Sequence, residues 1–167
     1  VTVTEAQRAE LTRRRDEIRA ELMPAKAGRP ASSARGIHHT ALISSDVRRT
    51  VEFYQGLLGF PLIDMFENRD LPGSTHFFFD VGNGNTVAFF DLPGVDVGSY
   101  AEVFGGLHHL AISMEPQRWQ EIRDKMDAQG LAYQLESGTS IYFRDPDGAR
   151  LELIADPLGE MYGHRVF

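Results

Sequence analysis

The chain has 167 residues, 42% apolar and 25% charged, a balance that excludes wholesale disorder and fibrous repeats. It holds no cysteine, which excludes disulfides, thiolate zinc sites, iron–sulfur clusters and a cysteine nucleophile, and makes a reducing, cytoplasmic setting the expectation. Residues 1–35 carry eight basic and five acidic side chains, so of the net charge of −7 the remainder bears −10. An acidic body is the wrong sign for a phosphate backbone, and no run of about 18 apolar residues exists to span a bilayer, so neither nucleic acid nor membrane is an expected partner.

Residues 4–23 read as a helix. Thr4 can cap it, Leu11, Ile18 and Leu22 form a thin apolar stripe, and Pro24 stops it. Residues 24–35, rich in Pro, Ala, Gly and Ser, read as a linker, so 1–35 forms an N-terminal helix and linker. From Gly36 the chain repeats itself: Gly36-Ile37-His38-His39-Thr40-Ala41-Leu42-Ile43 matches Gly106-Leu107-His108-His109-Leu110-Ala111-Ile112-Ser113. Each stretch is short and apolar and reads as a buried strand.

Each strand leads into a helix. Asp46 caps the first, with Val47, Val51, Tyr54 and Leu58 on one face and Gly59 as terminator. Pro116 starts the second, with Trp119, Ile122 and Met126 on one face and Gly130 as its stop. Strand candidates follow at 60–66, 75–81 and 85–91, and again at 132–136, 139–144 and 149–155. The expected fold is α+β. Two βαβββ modules, 36–91 and 106–167 with the tail, are joined by a connector at 92–105 and form a cupped mixed sheet.

Strand alternation puts His39 with Ala41, and His109 with Ala111. On the last strand Arg150, Glu152 and Ile154 share a face, while Leu151 and Leu153 take the helix side. A carboxylate on so apolar a strand costs several kcal/mol unless it is paired or bound to a metal. His39, His109 and Glu152 therefore form a candidate 2-His-1-carboxylate set that leaves open positions on a divalent ion. The alternative is three half-exposed sheet residues; a His at the same place in both halves favours the metal.

Three stretches carry a resemblance: 36–42, Phe53-Tyr54-Gln55-Gly56-Leu57-Leu58-Gly59-Phe60, and 142–153 with its Tyr142-Phe143-Arg144-Asp145-Pro146-Asp147-Gly148 run. Over about 36–160 the sequence resembles the vicinal oxygen chelate superfamily. That superfamily includes glyoxalase I, extradiol ring-cleaving dioxygenases, fosfomycin-resistance enzymes, methylmalonyl-CoA epimerase and bleomycin-resistance proteins. The resemblance implies a cup of paired modules with metal ligands on the first and last strands of each, here His39, His109 and Glu152. The fourth ligand position falls on Ala88, which argues against a glyoxalase I reaction and for a three-ligand site as in the dioxygenases and fosfomycin enzymes. It also implies one divalent metal per chain, Fe(II) or Mn(II), and a small substrate chelating through two oxygens.

By the same resemblance Tyr142 matches the tyrosine that hydrogen-bonds the substrate in extradiol dioxygenases. Two departures stand against a full catechol-cleaving assignment. The family's acid–base His falls near Tyr133 or Gln134, and 92–105 offers no candidate for the other active-site His. His76 is a candidate acid–base residue if it faces the cup, but an extra residue in the following turn leaves its register open. Open sheet edges and an open cup make a homodimer the expectation. Other readings are a metal-dependent lyase, isomerase or epimerase without dioxygen chemistry, and a non-catalytic binding protein that needs no metal ligands.

Overall fold

The computed structural model describes residues 2–166. Helix α1 spans Glu5–Leu22, and its start carries a reciprocal cap: Thr4 Oγ1 accepts from the Gln7 backbone N–H, and the Gln7 side chain accepts from the Thr4 N–H. No residue of α1 is buried, and the stripe of Leu11, Ile18 and Leu22 is exposed. Among the described residues no helix is long and apolar enough to cross a membrane.

Residues from Gly36 to Val166 form a second unit. Its first half runs β1 (His39–Ser44), α2 (Val47–Val51), β2 (Leu62–Glu67), β3 (Thr75–Asp80) and β4 (Thr86–Asp91). Its second half runs β5 (Leu110–Ser113), α3 (Pro116–Gln129), β6 (Tyr133–Glu136), β7 (Ser140–Arg144) and β8 (Arg150–Ile154). Two short strands, β9 (Glu160–Met161) and β10 (His164–Arg165), pair in the tail, where the sequence signals no strand.

Each half folds into its own four-stranded mixed sheet, ordered β1-β4-β3-β2 and β5-β8-β7-β6. In both, the first strand pairs parallel to the last and the other contacts are antiparallel. This is the expected α+β fold of duplicated βαβββ modules. One face of each sheet feeds a shared core: Phe77, Phe79, Val87 and Phe89 from the first sheet, Ile141, Leu151 and Leu153 from the second, and Trp119, Ile122 and Met126 from α3. The Trp119 indole N–H donates to the Leu153 carbonyl at 2.9 Å, which satisfies the one polar atom that packing would strand.

The first helix departs from its expected form. Asp46 caps it as expected, accepting from the Arg49 N–H, but after one turn it widens into a π-helical turn over Glu52–Leu57. The wider turn puts Tyr54, Leu57 and Leu58 into the core together. The Tyr54 hydroxyl donates across to Asp145 at 3.0 Å, and the Ser45 N–H and Arg49 guanidinium donate to Asp147 at 3.0 and 2.7 Å. The Asp145-Pro146-Asp147-Gly148 turn of the second half is thus latched onto the helix of the first.

Candidate metal centre

The two sheets carry equivalent constellations on the face turned away from the helices. In the second, Glu152 lies beside Ala111 on β5 and opposite Tyr142 on β7. In the first, Ala88 lies beside Ala41 on β1 and opposite Phe78 on β3. The register therefore places Ala88 where the duplicated strand has Glu152, as the sequence comparison of the halves required. His39 makes an edge contact with Phe78 at 6.4 Å between ring centroids, and His109 makes the same contact with Tyr142 at 5.4 Å.

The second sheet holds the polar version. Glu152 is buried, and its Oε2 lies 3.1 Å from His109 Nε2. Its other oxygen accepts from the Ser140 hydroxyl in a short hydrogen bond, and Tyr142 lies directly opposite Glu152 on β7. Burial first, and then the neighbouring Glu152 carboxylate, push the Tyr142 phenol up to about 12, so its hydroxyl keeps its proton. His109 Nδ1 lies 2.7 Å from His108 Nδ1, which orients the ring and leaves Nε2 turned to Glu152. His39 repeats that arrangement with His38, at 2.9 Å.

The first sheet is aromatic at the matching places. His76 pairs across strands with Phe90 and with Phe66, so it shares the face of Phe78 and Ala88. Its ring stacks on Phe90 at 3.8 Å, and its Nε2 is buried without a hydrogen-bond partner. Burial, followed by the charges of His39 and Arg69, lowers the pKa of this imidazole, so it is neutral at pH 7. The sequence left its face open; the pairing settles that it shares the face of His39.

Of the expected ligands, His109 and Glu152 come together and His39 does not join them. Among the described residues no group of three His, Cys, Asp or Glu side chains is placed to hold a metal ion within one chain. His39 lies on the first sheet and the other two donors on the second. The pair that does form, a turned-in imidazole nitrogen and a buried carboxylate oxygen, is a donor set suited to a divalent ion and short of a complete one. A cleft of about 640 Å³ opens between β1, the connector and the 147–149 turn. Ala41, Ile43, Tyr100 and Leu107 wall it, and none of the three donors does. Strand alternation did not flag Ser140; its place two residues before Tyr142, on the same face, was the signal available.

These strands lie within a stretch, residues 36–153, that matches the Glyoxalase/Bleomycin resistance protein/Dioxygenase superfamily. A Bacillus subtilis (strain 168) protein named "Putative ring-cleaving dioxygenase MhqA" is 27% identical over 143 residues, covering 77% of this chain and 42% of that one. The chain spans about two-fifths of the length of the B. subtilis relatives it matches. Lactoylglutathione lyase of Escherichia coli O157:H7 is 29% identical over 126 residues, covering 71% of this chain and 90% of the lyase. The solved trypanothione-dependent glyoxalase I of Leishmania major superposes with a TM-score of 0.59 at 25% identity, covering 72% of this chain and 86% of that one. With the family matched over most of its length and the duplicated sheets in place, the chain belongs to the glyoxalase/bleomycin resistance/dioxygenase superfamily.

Proposed function

We propose that this chain is the subunit of a homodimeric metalloenzyme whose site is shared between copies: His109 and Glu152 from one, His39 from the other. The observation that carries this is the half-built donor set, a buried Glu152 carboxylate 3.1 Å from His109 Nε2 with His39 held on a different sheet. Support comes from the face that bears His39, where Ile43 and Phe66 are 44% and 43% exposed. Exposed apolar side chains beside a candidate ligand suit a face covered by a second copy.

Two imidazoles and one carboxylate suit Fe(II) or Mn(II), which would supply Lewis acidity and open positions for a substrate that chelates through two oxygens. The chain's own residues then divide the work. Ser140 and His108 orient the two donors of the second sheet. Tyr142, protonated at neutral pH, donates a hydrogen bond to a substrate oxygen beside Glu152. Phe66, Phe78 and Phe90 offer an aromatic wall, and neutral His76, its Nε2 unpartnered, takes or returns a proton. The Bacillus relatives and the missing carboxylate at Ala88 favour dioxygenase-like chemistry on a small aromatic substrate. The runner-up, a proton-transferring glyoxalase or epimerase type, draws on His76 and on the lyase relative.

The test is complementation. His39→Ala and Glu152→Ala chains, each purified alone, should fail to hold Mn(II). Mixed and refolded together, they form a heterodimer with one intact site, so half the dimer's Mn(II) should return. No return in a mixture shown to contain the heterodimer would refute the shared site, and stoichiometric metal in Glu152→Ala alone would refute the ligand set.

A further inference from the structure

Two residues along the Glu152 face, Arg144 on β7 and Arg150 on β8 are directly opposite each other in register. Like charges in that position destabilise a sheet. The fold does not demand them: at the equivalent place in the first sheet Asp80 faces Thr86. Both guanidiniums lie over aromatic rings, Arg150 over Tyr142 and Arg144 over Tyr100, each with its Cζ 4.9 Å from the ring centroid. Tyr142 in turn touches His109 and lies opposite Glu152, so the arginine pair borders the donor set.

What offsets the two charges is Glu102, from the connector. One carboxylate oxygen, Oε1, lies 3.5 Å from Arg144 and 3.6 Å from Arg150, and the other lies 3.9 Å from His108 Nε2. Close charge-assisted pairs sit near 2.7–2.9 Å, and Arg49–Asp147 in this same chain is at 2.7 Å. Glu102 therefore closes neither fork, and the closer partners take only one nitrogen of each guanidinium: the Gly148 carbonyl for Arg144 at 3.1 Å and His108 Nε2 for Arg150 at 3.2 Å. Glu102 is also poorly anchored: its neighbours Val103 and Phe104 are fully or largely exposed, and Gly105 and Gly106 follow.

We propose that Arg144 and Arg150 bind the carboxylate of a small aromatic acid, the substrate of the adjoining site, and that Glu102 occupies this subsite until the substrate displaces it. A planar carboxylate can take a fork from each guanidinium, which one oxygen of Glu102 does not. The ring it carries would lie toward Tyr142 and the donor pair. The proposal rests on the reading of His109 and Glu152 as the functional site for its choice of ligand as substrate, but the anion subsite itself needs no metal.

The experiment is calorimetric titration of this 167-residue chain with benzoate and with benzamide, its neutral isostere, in the presence of a chelator. Benzoate should bind about tenfold or more tightly than benzamide, the weight of one charge-assisted contact. Glu102→Gln should tighten benzoate about tenfold and leave benzamide unchanged, since it removes the competing carboxylate. Arg150→Met should erase the preference, and Arg150→Lys, which keeps the charge and guards against a folding defect, should lose most of it. Equal binding of the two probes, or benzoate binding that Glu102→Gln leaves unchanged or weakens, overturns the proposal. Glu152→Gln separates the two readings: it should lose Mn(II) while keeping the benzoate preference. Metal binding without any anion preference sinks this inference alone, and anion preference without metal binding sinks only the metal reading.

Discussion

Tyr54→Phe tests the latch that joins the two halves. Tyr54 is fully buried, and its hydroxyl donates to Asp145 Oδ2 at 3.0 Å. The other oxygen, Oδ1, already accepts from the Asp147 and Ala149 backbone N–H groups at 3.0 and 2.8 Å. Removing the hydroxyl thus leaves one buried carboxylate oxygen without this partner while the ring and its packing stay. A hydrogen bond to a charged group is worth about 1.5–3 kcal/mol, so we expect a loss of about 2 kcal/mol at pH 7. For a chain of this size that lowers Tm by roughly 4–8 °C.

The effect should depend on pH in a set direction. Burial raises the Asp145 pKa in the folded state, while its hydrogen bonds, that from Tyr54 among them, pull it down. A raised folded pKa means the carboxyl's contribution favours folding below its unfolded value and fades as pH climbs through the folded one. Without Tyr54 the folded pKa rises further, so the variant loses most where Asp145 is ionised. The difference between variant and wild type should be full at pH 7 and shrink toward pH 3.5, because a neutral carboxyl needs the donor less. Urea unfolding of both proteins at several pH values measures that difference, with the other carboxylates cancelling. A penalty under 0.5 kcal/mol, or one that is flat across this range, would refute the reasoning.

Two further variants probe the site. Ser140→Ala removes the hydroxyl that donates to Glu152 and should weaken Mn(II) binding about tenfold with little change in the fold, read by calorimetry on the wild type and variant proteins. His76→Phe keeps an aromatic ring stacked on Phe90 but removes the unpartnered Nε2; metal content should hold while kcat falls by a factor on the order of 10² or more, and full activity would remove His76 from the proton transfer.

Several features of this protein were legible in the sequence because they are local. The pairing of His38-His39 with His108-His109 announced the duplication, and residues alternate between the faces of a strand whatever surrounds it. That alternation put Glu152 away from Leu151 and Leu153, and the match between halves put Ala88 at the position of Glu152; the strand registers agree with both. The caps at Thr4 and Asp46 were likewise readable, since a side-chain acceptor and an N–H three residues on suffice to make them.

Tertiary structure decided which of these residues meet. His39 and His109 have the same standing in the repeat, yet His109 meets Glu152, and among the described residues no third donor joins them. The face of His76 depended on the pairing of β3 with β4, which a loop of ambiguous length conceals. The latch between Tyr54 and Asp145 spans 91 residues, and the Glu102 contacts with Arg144 and Arg150 link the connector to two strands. No local periodicity encodes such contacts. They arise because the helix of one half and the turn of the other bury against a common core, and that packing fixes where the remaining polar groups must find partners.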